Sequence, residues 1–354
     1  MNYTENSNIS GLLMLIDFEK AFDSISWNFM FKVLENLGFG QEFIQWIKIL
    51  NNNFFGSVVQ AGVKSDFFKI ERGCKQGDPI AAYLFILCTQ IMTYMILQNK
   101  EIKGLSISDH EIKLCQFADD TTLILDGSTS SLQASLNTIE IFGSFSGLKM
   151  NTTKTKLVWI GRKKHSKDKL AVRSKLEWET TTFNLLGLHF SVNLEEMPSM
   201  NYTHALEKSK KLLSNWNKRF LTPFGKVTVI KTFILSQFVH LFSNIPSPSQ
   251  DFINNLNKML YGFIWANKPD KIKRLYLMQD YQDGGLRMVN VDNFIHSLKL
   301  TWLYRIIKDE QSPFKILFEK SISSIAKLVK FGSDWPKSLI KKSKNTFWNK
   351  YFLD

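Results

Sequence analysis

Short apolar runs alternate with helical repeats of apolar positions along the first half of the chain. The run LLMLID (12–17) ends in an acid, a pattern that predicts a buried strand leading to a functional site. Two further strands, KLCQFAD (113–119) and TTLIL (121–125), are predicted to meet at the acidic pair Asp119–Asp120. Apolar positions at helical spacing predict helices over residues 27–37, 41–50 and 131–145. The first half is therefore expected to be mixed α/β.

Beyond this half, the apolar pattern becomes helical. KLVWI (156–160) and FNLLGLHF (183–190) are the last strand candidates, the second as a strand or a tight hairpin. From about Tyr202 onward, apolar positions follow a helical period that prolines and a Gly-Gly pair interrupt. The predicted helices are 203–220, 225–243, 249–265 and 292–308. We expect a mixed unit of strands and helices in the N-terminal part of the sequence and a basic helical segment in the C-terminal part.

One segment, from Pro79 to Asn99, contains no charged residue and is nearly long enough to cross a bilayer. Two threonines and two glutamines interrupt it, and it follows the turn-like sequence RGCKQGDP. We predict a buried core helix for this segment, with a membrane helix as the alternative.

Charge is divided unevenly along the 354 residues, whose net formal charge is +13. Residues 1–150 carry 11 Lys and Arg against 16 Asp and Glu, whereas the remainder carries 34 against 16. A strongly basic second part would attract a polyanion, because each Lys or Arg that neutralises a phosphate releases condensed counterions. A merely soluble basic surface is the alternative interpretation.

Cysteine usage indicates a reducing compartment. The three cysteines are odd in number and widely spaced, so they form neither a metal-ligand pattern nor a disulfide framework. The N-terminal sequence MNYTENSNIS is polar and does not have the composition of a signal peptide. We therefore expect an intracellular protein.

Three acids are candidates for a metal site. Asp119 and Asp120 stand within the apolar sequence KLCQFADDTTLIL, and burying unpaired carboxylates is costly unless something compensates their charge. A hard divalent cation, which takes oxygen ligands, would do so. Asp17 would complete this site if its strand lies next to the strands that meet at Asp119 and Asp120. Because adjacent residues on a strand point to opposite faces, a tight turn at Asp119–Asp120 is required; two solvated turn acids are the alternative.

The order and spacing of five segments resemble the motifs of reverse transcriptases. IDFEKAFD (16–23), RGCKQGDP (72–79) and FADD (117–120) resemble motifs A, B and C. SGLKMNTTKTK (146–156) and FNLLGLHF (183–190) resemble motifs D and E as they are spelled in non-LTR retrotransposons. Three later segments resemble the thumb and following region of LINE-type elements, namely FGKVTVIKTFILSQFVHLF, YGFIW and DGGLRMVNVDNFIHSLKLTWLYR.

This resemblance implies an α+β fold, in which a reverse-transcriptase palm, an antiparallel sheet with packed helices, is followed by an α-helical thumb and a C-terminal helical region. The implied domains are the palm with motifs A to E over 1–195, a helical thumb-like region over 196–270 and a basic C-terminal helical region over 271–354. The implied function is RNA-directed DNA polymerisation, in which a nucleotidyltransferase adds deoxynucleotides to a primer 3′-OH. Its partners would be an RNA template and a DNA primer, without a membrane, in the cytoplasm and nucleus.

The same resemblance implies roles at the catalytic centre. Asp17, Asp119 and Asp120 would be the catalytic carboxylates that hold two Mg²⁺ ions, or Mn²⁺, with the backbone carbonyl of Phe18 as an extra ligand. Phe22 matches the family's aromatic sugar gate, whose ring would clash with a ribose 2′-OH. An ordinary core aromatic is the alternative for Phe22.

Residues in the other motifs receive roles as well. Gln76 and Gly77 match the motif B pair that lies against the incoming nucleotide, where a glycine permits close backbone approach; a helix-leading turn is the alternative. Lys154 matches the motif D lysine that would protonate the leaving pyrophosphate, and a solvated surface lysine is its alternative. Leu186 and Gly187 match the primer grip, a hairpin that positions the primer 3′ end.

The basic helical segment would contact nucleic acid in such a protein. Lysines and arginines between 208 and 231, interleaved with Trp216 and Phe220, would track the backbone of a duplex. Packing within a helical bundle is the alternative account of these two aromatic residues.

The chain departs from the family pattern in two places. Ala81–Ala82 stand where the family usually has Ser-Pro, and 16 residues precede Asp17 where the family has long fingers that bind the triphosphate. We therefore expect a truncated chain, and a catalytically inactive nucleic-acid-binding remnant is the alternative function. A two-metal nuclease or phosphatase is a third hypothesis, under which the QG and SGLK segments would have no role.

Overall fold

The computed structural model describes residues 1–52, 54–107, 110–172, 175–308 and 315–318. These residues form two compact units, one covering Tyr3–Thr181 and one beginning at Thr182. This division falls before the hairpin that we assigned to the palm, and the functional boundaries at 195 and 270 stay predictions. Most of the predicted region 271–354 beyond residue 308 lies outside the described residues.

The first unit combines one large sheet with helices. Its strands are β1 (Ser10–Ile16), β2 (Phe55–Gly56), β3 (Val59–Gln60), β4 (Val63–Lys64), β5 (Phe68–Lys69), β6 (Leu105–Ile107), β7 (His110–Ile112), β8 (Leu114–Phe117), β9 (Asp120–Leu125), β10 (Lys156–Gly161) and β11 (Glu177–Glu179). The helices that precede Thr181 are α1 (Asn2–Asn6), α2 (Ala21–Ser24), α3 (Trp27–Asn36), α4 (Gln41–Asn51), α5 (Ala81–Gln98) and α6 (Thr129–Ser146).

The large sheet has the strand order β11-β10-β1-β9-β8. Strand β1 lies at its centre, where Leu12 pairs with Trp159 on one side and with Leu125 on the other. Consecutive residues of β1 are buried, so both faces of the sheet are covered, which is why this strand is apolar throughout. The strands predicted at 12–17, 113–119, 121–125 and 156–160 are confirmed. Strand β11 is parallel to β10, so the sheet is mixed, whereas we expected an antiparallel one.

Helix α5 is the apolar segment whose setting the sequence left open. Its buried residues, among them Leu84, Phe85, Cys88, Met92 and Ile96, follow a helical period and belong to the core of the first unit. They pack where α5 contacts α3 and α6. Among the described residues, α5 is the one helix with the length and composition to cross a membrane. Its buried face fits the predicted core helix.

The second unit is helical after one hairpin. Its elements are β12 (Thr182–Leu185), β13 (Leu188–Ser191), α7 (Met197–Trp216), α8 (Pro223–Val229), a π-helical turn (Ile230–Leu235), α9 (Ser236–Asn244), α10 (Gln250–Trp265), α11 (Arg274–Met278), a 3₁₀ turn (Tyr281–Asp283) and α12 (Val291–Lys308). Aromatic residues such as Phe238, Phe242 and Tyr261 fill its core. The helix predicted over 225–243 is interrupted by the π-helical turn, a feature that apolar periodicity does not reveal.

Candidate active site

The acidic pair sits at the tip of a tight hairpin formed by β8 and β9. Phe117 pairs with Asp120, so Ala118 and Asp119 form a two-residue loop. Ala118 adopts a φ of 53°, a left-handed conformation that is uncommon for residues with a Cβ. The tight turn that the site requires is therefore present. Backbone strain of this kind is concentrated at functional positions.

Strand register brings Asp17 next to this turn. Strands β1 and β9 are antiparallel, and Ile16 with Thr121 forms their last pair. Asp17 follows Ile16 and Asp120 precedes Thr121, so the two acids continue the ladder on adjacent strands, about 5 Å apart between Cα atoms. The backbone of Asp17 is held from its other side, because the Asn151 amide donates to its carbonyl at 2.8 Å.

The three carboxylates influence one another electrostatically. Partial burial raises the pKa of Asp120, and the negative charges of Asp119 and Asp17 raise it further. Asp119 and Asp120 are nevertheless exposed, and Asp17 is half-buried. The expectation that Asp119 and Asp120 stand in an apolar interior was wrong, because most of the residues that follow in β9 are buried whereas the two acids lie at its exposed end.

Partial burial and mutual repulsion would both favour a cation beside these acids. Within the described residues, no three His, Cys, Asp or Glu side chains stand close enough together to hold one metal ion. The chemistry of Asp17, Asp119 and Asp120 nevertheless fits a hard divalent cation, since all three offer carboxylate oxygens and repel one another. To bind one ion together, the three carboxylates would have to lie closer to one another than they do here.

Phe22 packs against the core beside this site. Its ring stacks on Phe85 with centroids 4.2 Å apart and an angle of 16° between the planes. Its carbonyl accepts a hydrogen bond from the Cys74 amide at 2.7 Å, which links motif A to motif B. These contacts fix the ring, and its role as a sugar gate stays a prediction.

Gln76 and Gly77 lie in the exposed loop before α5. Gln76 lines a pocket of about 350 Å³ together with Asp23, Arg72, Lys75 and others. Gly77 has a φ of 90°, which favours glycine, while a Cβ at this position would meet no atom within 4 Å. The structure therefore explains the glycine at this position by its backbone conformation. Contact of Gly77 with a nucleotide stays a prediction.

Comparison with known proteins decides the family. A family profile described as reverse transcriptase (RNA-dependent DNA polymerase) matches residues 2–190. The chain belongs to the reverse transcriptase family. The predicted recognition of a LINE-type, non-LTR retrotransposon reverse transcriptase is confirmed by its relatives. The "Transposon TX1 uncharacterized 149 kDa protein" of Xenopus laevis is 24% identical over 88% of this chain and 24% of the relative.

Two further relatives come from R2 retrotransposable elements. The Pol polyprotein of element R2DM from Drosophila melanogaster is 24% identical over 77% of this chain and 26% of its own length. That of R2 from Popillia japonica is 25% identical over 69% of this chain and 34% of its own length. The chain thus spans between about a quarter and a third of these curated relatives.

Among solved structures, two telomerases in complex with a TWJ fragment of telomeric RNA are similar at low scores. The Candida tropicalis enzyme has a TM-score of 0.44 and 12% identity, covering 91% of this chain and 50% of that one. The Candida albicans enzyme has a TM-score of 0.38 and 12% identity, covering 81% and 52%.

Lys154 and the Leu186–Gly187 pair occupy turns in this chain. Lys154 is exposed in the turn that follows Asn151. The backbone amide of Lys154 donates a hydrogen bond to the Asn151 carbonyl at 3.3 Å. Leu186 and Gly187 have φ values of 49° and 74°, which gives the second unit a hairpin loop of the type I′ kind. His240 lies 2.9 Å from the Leu186 carbonyl and supports this loop. Their proposed roles stay predictions.

Two features of the candidate site were not predicted from the sequence. Gln116 donates to the Ala118 carbonyl at 3.3 Å and accepts from the Thr93 hydroxyl at 2.7 Å, so it ties the acidic turn to α5. Gly73 has a φ of 92°, and a Cβ there would lie 2.8 Å from the Asp23 backbone. The presence of Gly73 in RGCKQG was a sequence signal for the close approach to Asp23. No sequence signal indicated the hydrogen bonds of Gln116.

Proposed function

We propose that this chain is the catalytic core of an RNA-directed DNA polymerase of a non-LTR retrotransposon. It would add deoxynucleotides to the 3′-OH of a DNA primer paired with an RNA template, in the cytoplasm and nucleus. The observation that carries this proposal is the strand register that makes Asp17 and Asp120 neighbours, with Asp119 in the turn beside them. Membership of the reverse transcriptase family supports it.

Asp17, Asp119 and Asp120 would hold two Mg²⁺ ions, for which Mn²⁺ could substitute, with the Phe18 carbonyl as a further ligand. When bound, the ions would activate the primer hydroxyl and neutralise the leaving pyrophosphate. The three acids must be ionised to serve as ligands. Partial burial and the charges of the other two acids raise the pKa of Asp120, so a bound cation would stabilise its ionised form.

The remaining residues of the first unit would position the nucleotide. Phe22, held by its stack on Phe85, would lie under the sugar and exclude a 2′-OH. Gln76 and Gly77 would lie against the incoming nucleotide, and Lys154, exposed on its turn, would donate a proton to the pyrophosphate.

The second unit would hold the template and primer. We propose that 196–270 is a thumb-like region and that the Leu186–Gly187 hairpin is the primer grip. From Lys208 to Gln250 the chain has seven Lys and Arg and no Asp or Glu. This charge supports contact with a phosphate backbone through counterion release. Phe220 is fully exposed within this segment, so packing does not account for it.

Primer extension tests the proposal. The 354-residue chain would be incubated with an RNA template, a labelled DNA primer, deoxynucleotides and Mg²⁺. We expect extension that EDTA stops and that Asp119→Asn or Asp120→Asn reduces by at least about 100-fold, whereas Glu19→Gln, at an exposed acid near Asp17, retains it. Salt-dependent binding of template–primer without extension would instead favour the inactive remnant. Degradation of the primer without extension would favour a nuclease.

A further inference from the structure

A surface of the second unit combines aromatic rings with cations. We call it the aromatic–cation patch and define it by Phe224, Lys231, Tyr281 and Arg287. Phe224 lies in α8, Lys231 in the π-helical turn that continues α8, and the other two in the loop between α11 and α12. Phe224 is 52% exposed and Tyr281 is 46% exposed. These rings offer large flat surfaces to the solvent.

Direct contacts hold the patch together. The rings of Phe224 and Tyr281 lie with centroids 5.6 Å apart and tilted by 46°. The Arg287 guanidinium lies over the Tyr281 ring, 4.7 Å from its centroid. Lys231 is two turns along the helical segment from Phe224, and it lies close enough to Arg287 to feel its charge. Phe224, Tyr281 and Arg287 therefore form one continuous surface, and Lys231 lies further along the helical segment that begins with α8.

The loop that carries Arg287 is rigidly built. Asp280 accepts from Arg287 Nε at 2.9 Å and from Nη2 at 2.6 Å, which orients the guanidinium. A Cβ on Gly285 would lie 2.1 Å from the Gln279 carbonyl oxygen, so the loop closes on itself at that glycine. A group fixed in advance loses little conformational entropy when a ligand binds. Asp280 offsets one positive charge, and exposed Asp283 adds a negative one nearby.

The two cations of the patch would supply the donors for an anionic ligand. Burial lowers the pKa of Lys231, and the charge of Arg287 lowers it further, so these two cations are held together against their repulsion. A phosphate between them would relieve this repulsion. The stretch from Lys208 to Gln250 supplies no acid to do so, and the acid that offsets Arg287 is Asp280 of its own loop. Aromatic rings beside phosphate-binding cations are the combination that binds unpaired nucleotides, because every base has a face that can stack.

We propose that the aromatic–cation patch binds single-stranded nucleic acid, with bases stacked on Phe224 and Tyr281 and phosphates bound by Lys231 and Arg287. A duplex would not satisfy it, since paired bases already stack on their neighbours and leave only phosphates for contact. The site does not depend on polymerase activity. Within the proposed enzyme, it would hold an unpaired part of the template or of another strand.

Fluorescence anisotropy of the 354-residue chain with a labelled oligonucleotide of about 12 nucleotides, in EDTA, tests the patch. Tyr281→Leu and Phe224→Leu are each expected to weaken single-strand binding about five-fold or more, the scale of one lost stack. Tyr281→Phe keeps the ring and should bind as the wild type does. Tyr276→Leu, which changes an equally exposed tyrosine on α11, is the matched control and should also bind normally.

Charge substitutions test the phosphate contact separately. Lys231→Gln should reduce the slope of log Kd against log salt by about 0.7, the value for one phosphate of a single strand. Lys258→Gln, at an exposed lysine on α10, should leave the slope unchanged. RNA and DNA probes are compared in parallel. Equal losses with both would support recognition of the base and phosphate that they share, and losses with one alone would support the site and identify the strand.

Several results would overturn the proposal. Wild-type affinity in both Tyr281→Leu and Phe224→Leu would remove the stacking contact, provided that circular dichroism shows folded variants. Duplex binding as tight as single-strand binding, with no effect of the aromatic variants, would reduce the patch to a phosphate contact. Competition by polyglutamate as strong as by unlabelled oligonucleotide would make it a general cationic surface. Asp119→Asn should bind normally, which separates failure here from failure of the proposed polymerase.

Discussion

Gln116 offers a test of how the acidic turn is held. Its side chain donates to the Ala118 carbonyl at 3.3 Å and accepts from the Thr93 hydroxyl at 2.7 Å. Ala118 has a φ of 53°, and a strained residue of this kind costs on the order of 1–3 kcal/mol. The two hydrogen bonds therefore oppose relaxation of the turn that presents Asp119 and Asp120.

Removing one of these bonds should slow catalysis, and removing both should slow it further. A net hydrogen bond contributes about 1 kcal/mol. We expect Thr93→Val, which removes the shorter bond, to lower kcat about five-fold. Gln116→Leu removes both bonds and should lower kcat by about 10- to 30-fold. The KM for the nucleotide should change less, because the turn holds carboxylates rather than substrate. Since Thr93 acts through Gln116, the double variant should match Gln116→Leu alone.

Single-nucleotide incorporation on a template–primer measures kcat and KM for these variants. Gln98→Leu, at an exposed glutamine near the end of α5, is the control and should behave as the wild type. Multiplicative losses in the Thr93→Val/Gln116→Leu double variant would show that the two residues act independently. An unchanged kcat in Gln116→Leu would refute the reasoning altogether.

Three further predictions concern stability. Because the pKa of Asp120 is raised in the folded chain, its ionisation costs stability as the pH rises, so Asp120→Asn should raise the Tm in EDTA at pH 7; a lower Tm would contradict this. Burial lowers the pKa of Lys299 to about 7, so above that pH the folded chain binds fewer protons than the unfolded chain. The free energy of unfolding, measured in urea, should therefore rise between about pH 7 and 10 in the wild type but not in Lys299→Met. Gly73→Ala should lower the free energy of unfolding by about 2–4 kcal/mol, because the new Cβ would lie 2.8 Å from the Asp23 backbone. Gly77→Ala should lower it by only about 1 kcal/mol, because its Cβ would meet no atom within 4 Å. Equal losses would mean that the close contact at Gly73 relaxes freely.

The sheet and the position of its acids could be predicted from the sequence. The apolar runs around 12–17, 113–119 and 121–125 became β1, β8 and β9. The run in β1 is the longest without a polar residue, because that strand is buried on both faces. The requirement for a turn at Asp119–Asp120 followed from the alternation of side chains along a strand. These inferences needed only local pattern and one assumption, that the two strands are neighbours.

Exposure and tertiary hydrogen bonds could not be predicted in this way. The apolar residues around Asp119–Asp120 suggested burial of the acids, but a hairpin tip projects from the sheet that buries its flanks. Gln116 and Thr93 are 23 positions apart, and no spacing rule connects a strand to a preceding helix. The contact of Phe224 with Tyr281 likewise joins elements that are distant in sequence. Long-range packing decides such features, whereas sequence pattern reports local periodicity.

Binding of Mn²⁺ tests most directly whether the three acids share divalent cations. Electron paramagnetic resonance would count bound Mn²⁺ on the chain with a template–primer, in the wild type and in Asp17→Asn, Asp119→Asn and Glu19→Gln variants. Asp17 is distant from Asp119 in sequence but adjacent to the turn through the β1–β9 register. We predict that Asp17→Asn and Asp119→Asn both weaken ion binding, while Glu19→Gln does not. Wild-type binding of Mn²⁺ by Asp17→Asn would contradict the account.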